Sequence, residues 1–299
     1  MLVPCYNEEV TVDKVVADFK RALPRARVLV FDNNSTDRTA QVAREAGAMV
    51  FHASRQGKGN VVKQMFDQVD ADVYVMVDGD DTYPASAAPQ LIEAYKRGGA
   101  DMVVGARLAS FEAGSFRRFH KFGNYLVARL ISRLFSTHVT DILSGYRVFS
   151  KAFVKTIPLM SKGFEIETEM TLQALAKNFV ITEVPITYGI RPEGSYSKLD
   201  TFSDGYLVLK LIFLIFKDFK PLVFFASLSA LLCIITIAAG LFPIMDYIEH
   251  RYVYHVPLAV LATGTGILAA LSCCIGVILD TIAKYHNENF ELLRRLLQR

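Results

Sequence analysis

Val73-Tyr-Val-Met-Val77-Asp78-Gly79-Asp80-Asp81 decides how this chain is read. A run of apolar, β-forming residues ends abruptly in three carboxylates around a glycine. A short continuous apolar run bounded by turn residues fits a strand buried on both faces. The C-terminal tip of such a strand is where open α/β sheets hold their ligands. An Asp-x-Asp at that tip offers hard oxygen donors on a rigid mount, which a divalent cation bridging two phosphates requires.

Outward from this run, residues 1 to about 107 alternate strand and helix patterns. Met1–Cys5, Val28–Phe31, Met49–His52 and Met102–Val104 read as further short strands. Val12, Val15, Val16, Phe19 and Leu23 recur at helical spacing, and Gln41–Gly47 ends in glycine as helices often do. Repeated β-α units predict a mainly parallel sheet covered by helices on both faces. Farther on, Asp141–Phe149 reads as a loop entering a strand, Glu165–Lys177 as a helix and Val180–Tyr188 as a strand. Phe116–Phe135 forms a basic amphipathic stretch suited to a membrane surface. Gly205–Phe219, with Lys210 and Lys217, reads as an interfacial helix.

Pro221–Ile244 and Val256–Ile282 are long and almost uncharged, enough to cross a hydrocarbon core that takes about 20 helical residues. The linker Met245–His255 carries one Arg and no Lys, whereas the tail holds Lys284, Arg294, Arg295 and Arg299. The positive-inside rule then predicts an integral membrane protein with the tail and the N-terminal region in the cytoplasm. The expected divisions are 1–200, a cytoplasmic catalytic domain; 201–220, an interfacial helix; 221–283, two transmembrane helices; and 284–299, a basic tail.

Composition agrees, with 52% hydrophobic residues and a positive mean hydropathy. A net charge of +3 is too small to argue for nucleic acid. The four cysteines form neither a disulfide framework nor a metal spacing, and the six histidines are scattered. The opening residues lack the basic start and apolar core of a signal peptide. Because the first strand is so short, a few residues are expected upstream.

The predicted strand ends carry a consistent chemistry. After the first comes Pro4-Cys5-Tyr6-Asn7-Glu8-Glu9: Tyr6 could flank a base, while Asn7 and Glu8 could bond a base or ribose, or cap the next helix. After the second comes Asp32-Asn33-Asn34-Ser35-Thr36-Asp37, where Asp32 suits a base or ribose, or the run is a capped turn. After the third comes Gln56-Gly57-Lys58-Gly59-Asn60, whose glycines let backbone amides approach a ligand and whose Lys58 can offset phosphate charge. It lacks Walker A spacing.

Taken as a set, P-x-Y-N-E, D-N-N-S-x-D, G-K-G and D-x-D resemble glycosyltransferase family 2 over roughly residues 1–200. The resemblance implies an α/β GT-A nucleotide-diphospho-sugar transferase fold and inverting sugar transfer with Mg2+ or Mn2+. Asp78 and Asp80 would hold the metal and diphosphate. Pro4, Tyr6, Asn7, Glu8, Asp32, Lys58 and Gly79 would surround the nucleotide sugar. Relatives often read D-x-D-L-Q; here Asp81 or Thr82 would take the glutamine's place.

Val104-Gly-Ala-Arg107, Asp141-Ile-Leu-Ser144-Gly145-Tyr146-Arg147, Gly163-Phe-Glu165-Ile-Glu167 and Ser195-Tyr-Ser-Lys198-Leu199 narrow the likeness to polyprenyl-phosphate mannose and glucose synthases. Those enzymes imply a UDP- or GDP-linked sugar donor, a polyprenyl phosphate acceptor, membrane lipids and a homo-oligomer. A phosphate monoester has a second pKa of about 6 and is largely dianionic at neutral pH. It needs charge compensation more than a general base, which predicts a basic cradle. Arg107, Arg117, Arg118 and Lys121 are placed for it, with Arg147, Arg191 and Lys198 as further candidates; the same positions also suit snorkelling charges. Asp80, Arg107 and Asp141 are the candidate catalytic residues, Asp141 as an orienting or basic group. Two alternatives remain: extension of a glycan already on a lipid or protein, or a non-catalytic membrane scaffold. A processive polysaccharide synthase fits poorly, because its tryptophan signature is missing from a chain with no Trp.

Overall fold

The computed structural model of the chain describes residues 1–107, 129–135, 137, 139–163, 165–189, 191–192 and 213–297. It forms two compact units, Met1–Gly205 with Arg294–Arg299, and Tyr206–Leu293.

In the first unit β1 (Leu2–Cys5), α1 (Val12–Ala22), β2 (Leu29–Asp32), α2 (Thr39–Glu45), β3 (Met49–His52), α3 (Lys58–Gln68) and β4 (Val73–Met76) alternate. A one-turn 3-10 helix, Ala85–Ala87, leads into α4 (Ala88–Gly98) and β5 (Met102–Arg107). After β5 come β6 (Arg147–Ser150), α5 (Lys151–Thr156), α6 (Ile166–Ala176) and β7 (Ile181–Ile186). The seven strands make one sheet in the order β3-β2-β1-β4-β6-β5-β7. β1 to β4 run parallel, and β6 alone is antiparallel to its neighbours β4 and β5. This is the mixed, mainly parallel sheet of a GT-A fold.

Hydrophobic burial makes the sheet hold. Helix α1 turns Val12, Val15, Val16 and Phe19 inward against Val3, Val30, Val75 and Val148. Each such side chain contributes about 1.5–3 kcal/mol on leaving water. β1 to β4 and β7 fall within a residue or two of the expected runs, because each is a short apolar segment closed by turn residues, whereas β5 continues three residues past Val104 to Arg107. Helix α2 starts where Asp37 accepts the Thr39 N–H at 2.9 Å.

In the second unit, α7 (Pro221–His250) and α8 (Val256–Leu297) are long, apolar helices that could each cross a membrane by length and composition. They pack through small and hydroxylated residues. Ser229 Oγ donates to the Ala269 carbonyl at 2.8 Å, and Thr236 and Thr265 share a hydroxyl bond of 2.8 Å. Such residues let apolar helices approach closely. Two boundaries differ from expectation. α7 continues through Met245 to His250, and the turn is only residues 251–255, held by Asp246 Oδ2 accepting from the Tyr254 and His255 N–H groups. α8 runs 42 residues, about 63 Å at 1.5 Å each, so residues 284–297 of the expected basic tail continue the helix. Most of the expected interfacial helix, 201–220, lies outside the described residues.

Candidate active site at the sheet edge

Because β1 to β4 are parallel, their C-terminal ends meet along one edge of the sheet. The register sets Cys5 beside Asp32, and Asp32 beside His52. The loops that follow are braced against one another by their own polar groups. Asn7 Oδ1 accepts the Thr36 N–H at 2.8 Å, and Ser35 Oγ accepts the Asn7 N–H at 2.9 Å. The Glu8 N–H donates to Thr39 Oγ1 at 2.8 Å. Asn33 Nδ2 donates to the Ala53 and Arg55 carbonyls, while its Oδ1 accepts the Gly57 N–H at 2.8 Å.

Several residues expected around a nucleotide thus have framing work. Asn7 sits at φ 52° and fastens loop to loop. Pro4 is buried inside β1, level with Phe31. The Glu8 carbonyl accepts the first N–H groups of α1. Tyr6 is half-buried just past the strand. Asp32 differs from these. It is buried, and its Oδ1 has no hydrogen-bond partner. A buried carboxylate oxygen without a donor is costly, and an N–H or hydroxyl of a ligand would satisfy it.

The glycines around Lys58 also serve the chain itself. A Cβ on Gly57 or Gly59 would overlap the Lys162 and Ser161 carbonyls, and the Gly59 N–H donates to Lys162 O at 3.1 Å. Lys58 opens α3 with an 11% exposed side chain and reaches two carboxylates: Asp78 Oδ1 at 2.6 Å and Glu167 Oε1 at 2.5 Å. Burial alone would lower its pKa, but Asp78 and then Glu167 outweigh it and hold the ammonium well above the usual lysine range. Burial raises the Glu167 carboxyl, opposed by Lys58 and reinforced by Asp78. Glu167, in the first turn of α6, has no role assigned by its sequence pattern. Only the E-x-E at a helix start marked it.

Gly79 leaves room for β1, since a Cβ there would lie 2.6 Å from Cys5 Sγ; its carbonyl accepts Thr11 Oγ1 at 2.7 Å. Asp80 accepts Thr82 Oγ1 at 2.6 Å on Oδ1 and meets Arg191 Nη2 at 2.5 Å on Oδ2. Arg191 comes from the segment after β7, tied to this loop by the Gly189 N–H donating to Thr82 O at 2.8 Å. Asp81, at φ 57°, turns away and binds Lys14 Nζ at 2.7 and 2.8 Å. Asp81 is thus held by Lys14, whereas Thr82 stays beside the acid pair through its bond to Asp80.

Gly145 backs onto Asp78. Its N–H donates to Tyr83 Oη at 2.9 Å, and a Cβ there would overlap the Asp78 carboxylate. Gly145→Ala is expected to displace Asp78 and to lower the affinity for Mn2+ by about tenfold or more. Isothermal titration with and without nucleotide checks this, and an unchanged affinity would contradict the packing.

Beside this centre, Arg107 grips Asp141 in a two-point bond, Nε–Oδ2 2.7 Å and Nη2–Oδ1 2.8 Å, and its guanidinium lies 5.4 Å from the Tyr188 ring centroid. Burial would raise the Asp141 pKa, but Arg107 reverses this and holds the carboxyl below its usual range. With both oxygens engaged and its pKa lowered, Asp141 suits orienting Arg107 and is a poor general base. Arg147, expected in the phosphate cradle, lies inside the protein instead. It is fully buried, and its guanidinium donates to the Ser144 and Ile142 carbonyls, each at 2.8 Å, and to Thr171 Oγ1 at 3.0 Å. It staples the 141–147 loop from inside and presents no face to a lipid phosphate. Arg117, Arg118, Lys121 and Lys198 lie outside the described residues.

Asp78 and Asp80 supply only oxygen donors, which suits Mg2+ or Mn2+. Among the described residues no three His, Cys, Asp or Glu side chains converge. The donor set thus fits an ion that completes its shell with phosphate oxygens and water.

The profile of Glycosyl transferase family 2 matches residues 1–157. This chain belongs to that family. Glycosyltransferase AglJ of Haloferax volcanii is 32% identical over 297 residues, 99% of this chain and 97% of that protein. A dolichyl-phosphate hexose transferase of the same organism is 32% identical over 207 residues, covering 69% of this chain and 89% of its own. In structure, the chain is similar to glucosyl-3-phosphoglycerate synthase from Mycobacterium tuberculosis solved with Mn2+, uridine-diphosphate and glucosyl-3-phosphoglycerate. The TM-score is 0.59 at 19% identity, over 72% of this chain and 77% of the other, a likeness of fold. This family 2 chain is a glycosyltransferase with relatives that act on prenyl phosphates, and its strand-end carboxylates occupy the ligand-holding edge of a GT-A sheet.

Proposed function

We propose that this chain transfers a hexose, with inversion, from a nucleotide-diphosphate sugar to polyprenyl phosphate at the cytoplasmic membrane face. The observation that carries this reading is the pair Asp78 and Asp80 at the end of β4, each already met by a basic side chain, in a family 2 chain bearing two helices long enough to cross a membrane. The dolichyl-phosphate hexose transferase aligned over most of its length supports the acceptor class.

Asp32 would accept a donor from the base or ribose, with UDP favoured by the fold neighbour solved with that nucleotide. Asp78 and Asp80 would hold Mn2+ or Mg2+, which neutralises the charge that the departing diphosphate gains. Lys58 adds a fixed positive charge beside Asp78, and fixed charge in a buried setting is the largest usual term in such transfers. Arg107, held in place by Asp141, would meet the acceptor phosphate; Arg117, Arg118, Lys121 and Lys198 are the further residues proposed for the basic cradle. The phosphate dianion attacks C1 as the C1–O bond to the diphosphate breaks. No proton needs removing, so an Asp141 locked to Arg107 is consistent with this chemistry.

A panel of labelled UDP- and GDP-sugars, offered with short-chain polyprenyl phosphate and with free oligosaccharides, tests the reading. Label is expected in the lipid alone, from one donor class. Label in the oligosaccharides alone would favour glycan extension and overturn the acceptor assignment.

A further inference from the structure

The Lys58 ammonium lies between two acids in unlike surroundings. The Asp78 side chain is 24% exposed at the sheet edge, whereas that of Glu167 is 4% exposed in the first turn of α6. The proposed function gives Asp78 to a divalent cation. A cation on Asp78 neutralises the charge of that carboxylate, and Lys58 loses the counter-charge it draws from it. An ammonium left without a counter-charge at such a buried position is costly, and the cost would oppose the cation's entry. Glu167 provides the second anchor. Its Oε1 stands 2.5 Å from Nζ and requires no movement of the lysine. Helix α6 is fixed from behind, since Arg147 donates to Thr171 Oγ1 one turn beyond Glu167.

We propose that Glu167 is a positioning residue that retains Lys58 while Asp78 passes to the divalent cation. Lys58 then stays charged and in place beside the diphosphate, and the acid pair becomes free for the ion without exposing an unpaired ammonium. This rests on the functional reading above for the identity of the Asp78 ligand. It adds a residue that neither binds the ion nor touches the sugar.

A double-mutant cycle on the full-length protein in detergent tests it, with Mn2+ alone as the probe and electron paramagnetic resonance as the readout of bound ion. Glu167→Gln is expected to weaken Mn2+ binding about tenfold or more. Lys58→Met removes the competitor for Asp78 and is expected to leave binding equal or tighter. In the Lys58→Met background, Glu167→Gln is expected to change binding by less than about twofold, since coupling vanishes when the partner is absent. Glu167→Asp keeps the charge one methylene shorter and is expected to fall between wild type and Glu167→Gln. Equal losses with and without Lys58 would make Glu167 a ligand or a structural prop and overturn the proposal. So would an unchanged affinity in Glu167→Gln. A wild-type chain that takes up no Mn2+ even with nucleotide present would overturn the functional reading itself.

Discussion

Asp80→Asn is expected to lower sugar transfer by more than about 100-fold while the protein stays folded. The substitution removes the negative charge and one of the two carboxylate oxygens that Asp80 offers the divalent ion, and keeps the size of the side chain. Thr82 Oγ1, now 2.6 Å from Oδ1, can still donate to the amide oxygen. Arg191 gives up its ion pair with Asp80, but its side chain is 31% exposed and keeps water contact, so the stability cost is small. Initial rates with saturating donor, beside thermal unfolding of the same preparation, check both parts. Retained turnover would remove the acid pair from the reaction.

Asp141→Asn is expected to have the largest effect on stability, about 3 kcal/mol at neutral pH. The Arg107–Asp141 pair is inside the protein, with side chains 19% and 6% exposed, and the substitution leaves the guanidinium without its counter-charge. The sign with pH follows from the direction of the shift. Arg107 holds the Asp141 pKa below its ordinary value. Its contribution is therefore complete above the unfolded carboxylate pKa of about 3.9 and is lost as pH falls through the lower folded value. Wild type and Asp141→Asn are expected to differ by several degrees in unfolding midpoint at pH 7 and to converge below about pH 4. A constant gap down to acid pH would mean that packing, and not charge, is what Asp141 supplies.

Much of the fold was legible because parallel strands buried on both faces announce themselves as short apolar runs. Val73–Val77 and Val28–Phe31 need no tertiary information to be placed. The ends of those runs also marked Asp32, Asp78 and Asp80, since ligand groups collect where parallel strands stop. Residues whose role depends on distant partners were harder. Glu167 matters through Lys58, which lies in a different β-α unit, and no local periodicity joins them. Asn7 looked like a ligand group but spends its side chain on a neighbouring loop, as Asn33 does, because the strand-end backbone has N–H and carbonyl groups to satisfy. Arg147 looked like a phosphate ligand because arginine is seldom buried. What places it inside is tertiary: it opens a strand, Arg147–Ser150, whose every residue is buried between β4 and β5. α7 and α8 extend beyond their apolar segments because a helix leaving such a segment need not stop where hydrophobicity does.

The central claim is that Asp78 and Asp80 hold an ion that neutralises a departing diphosphate while a lipid phosphate attacks. The direct measurement is transfer of label from a nucleotide sugar to short-chain polyprenyl phosphate by the purified full-length chain, in Mn2+, after chelation, and after Mn2+ is restored. Labelled lipid that disappears with chelator and returns with the ion is the result expected. Transfer that proceeds unchanged in chelator, or that never reaches the lipid with any donor, would contradict it.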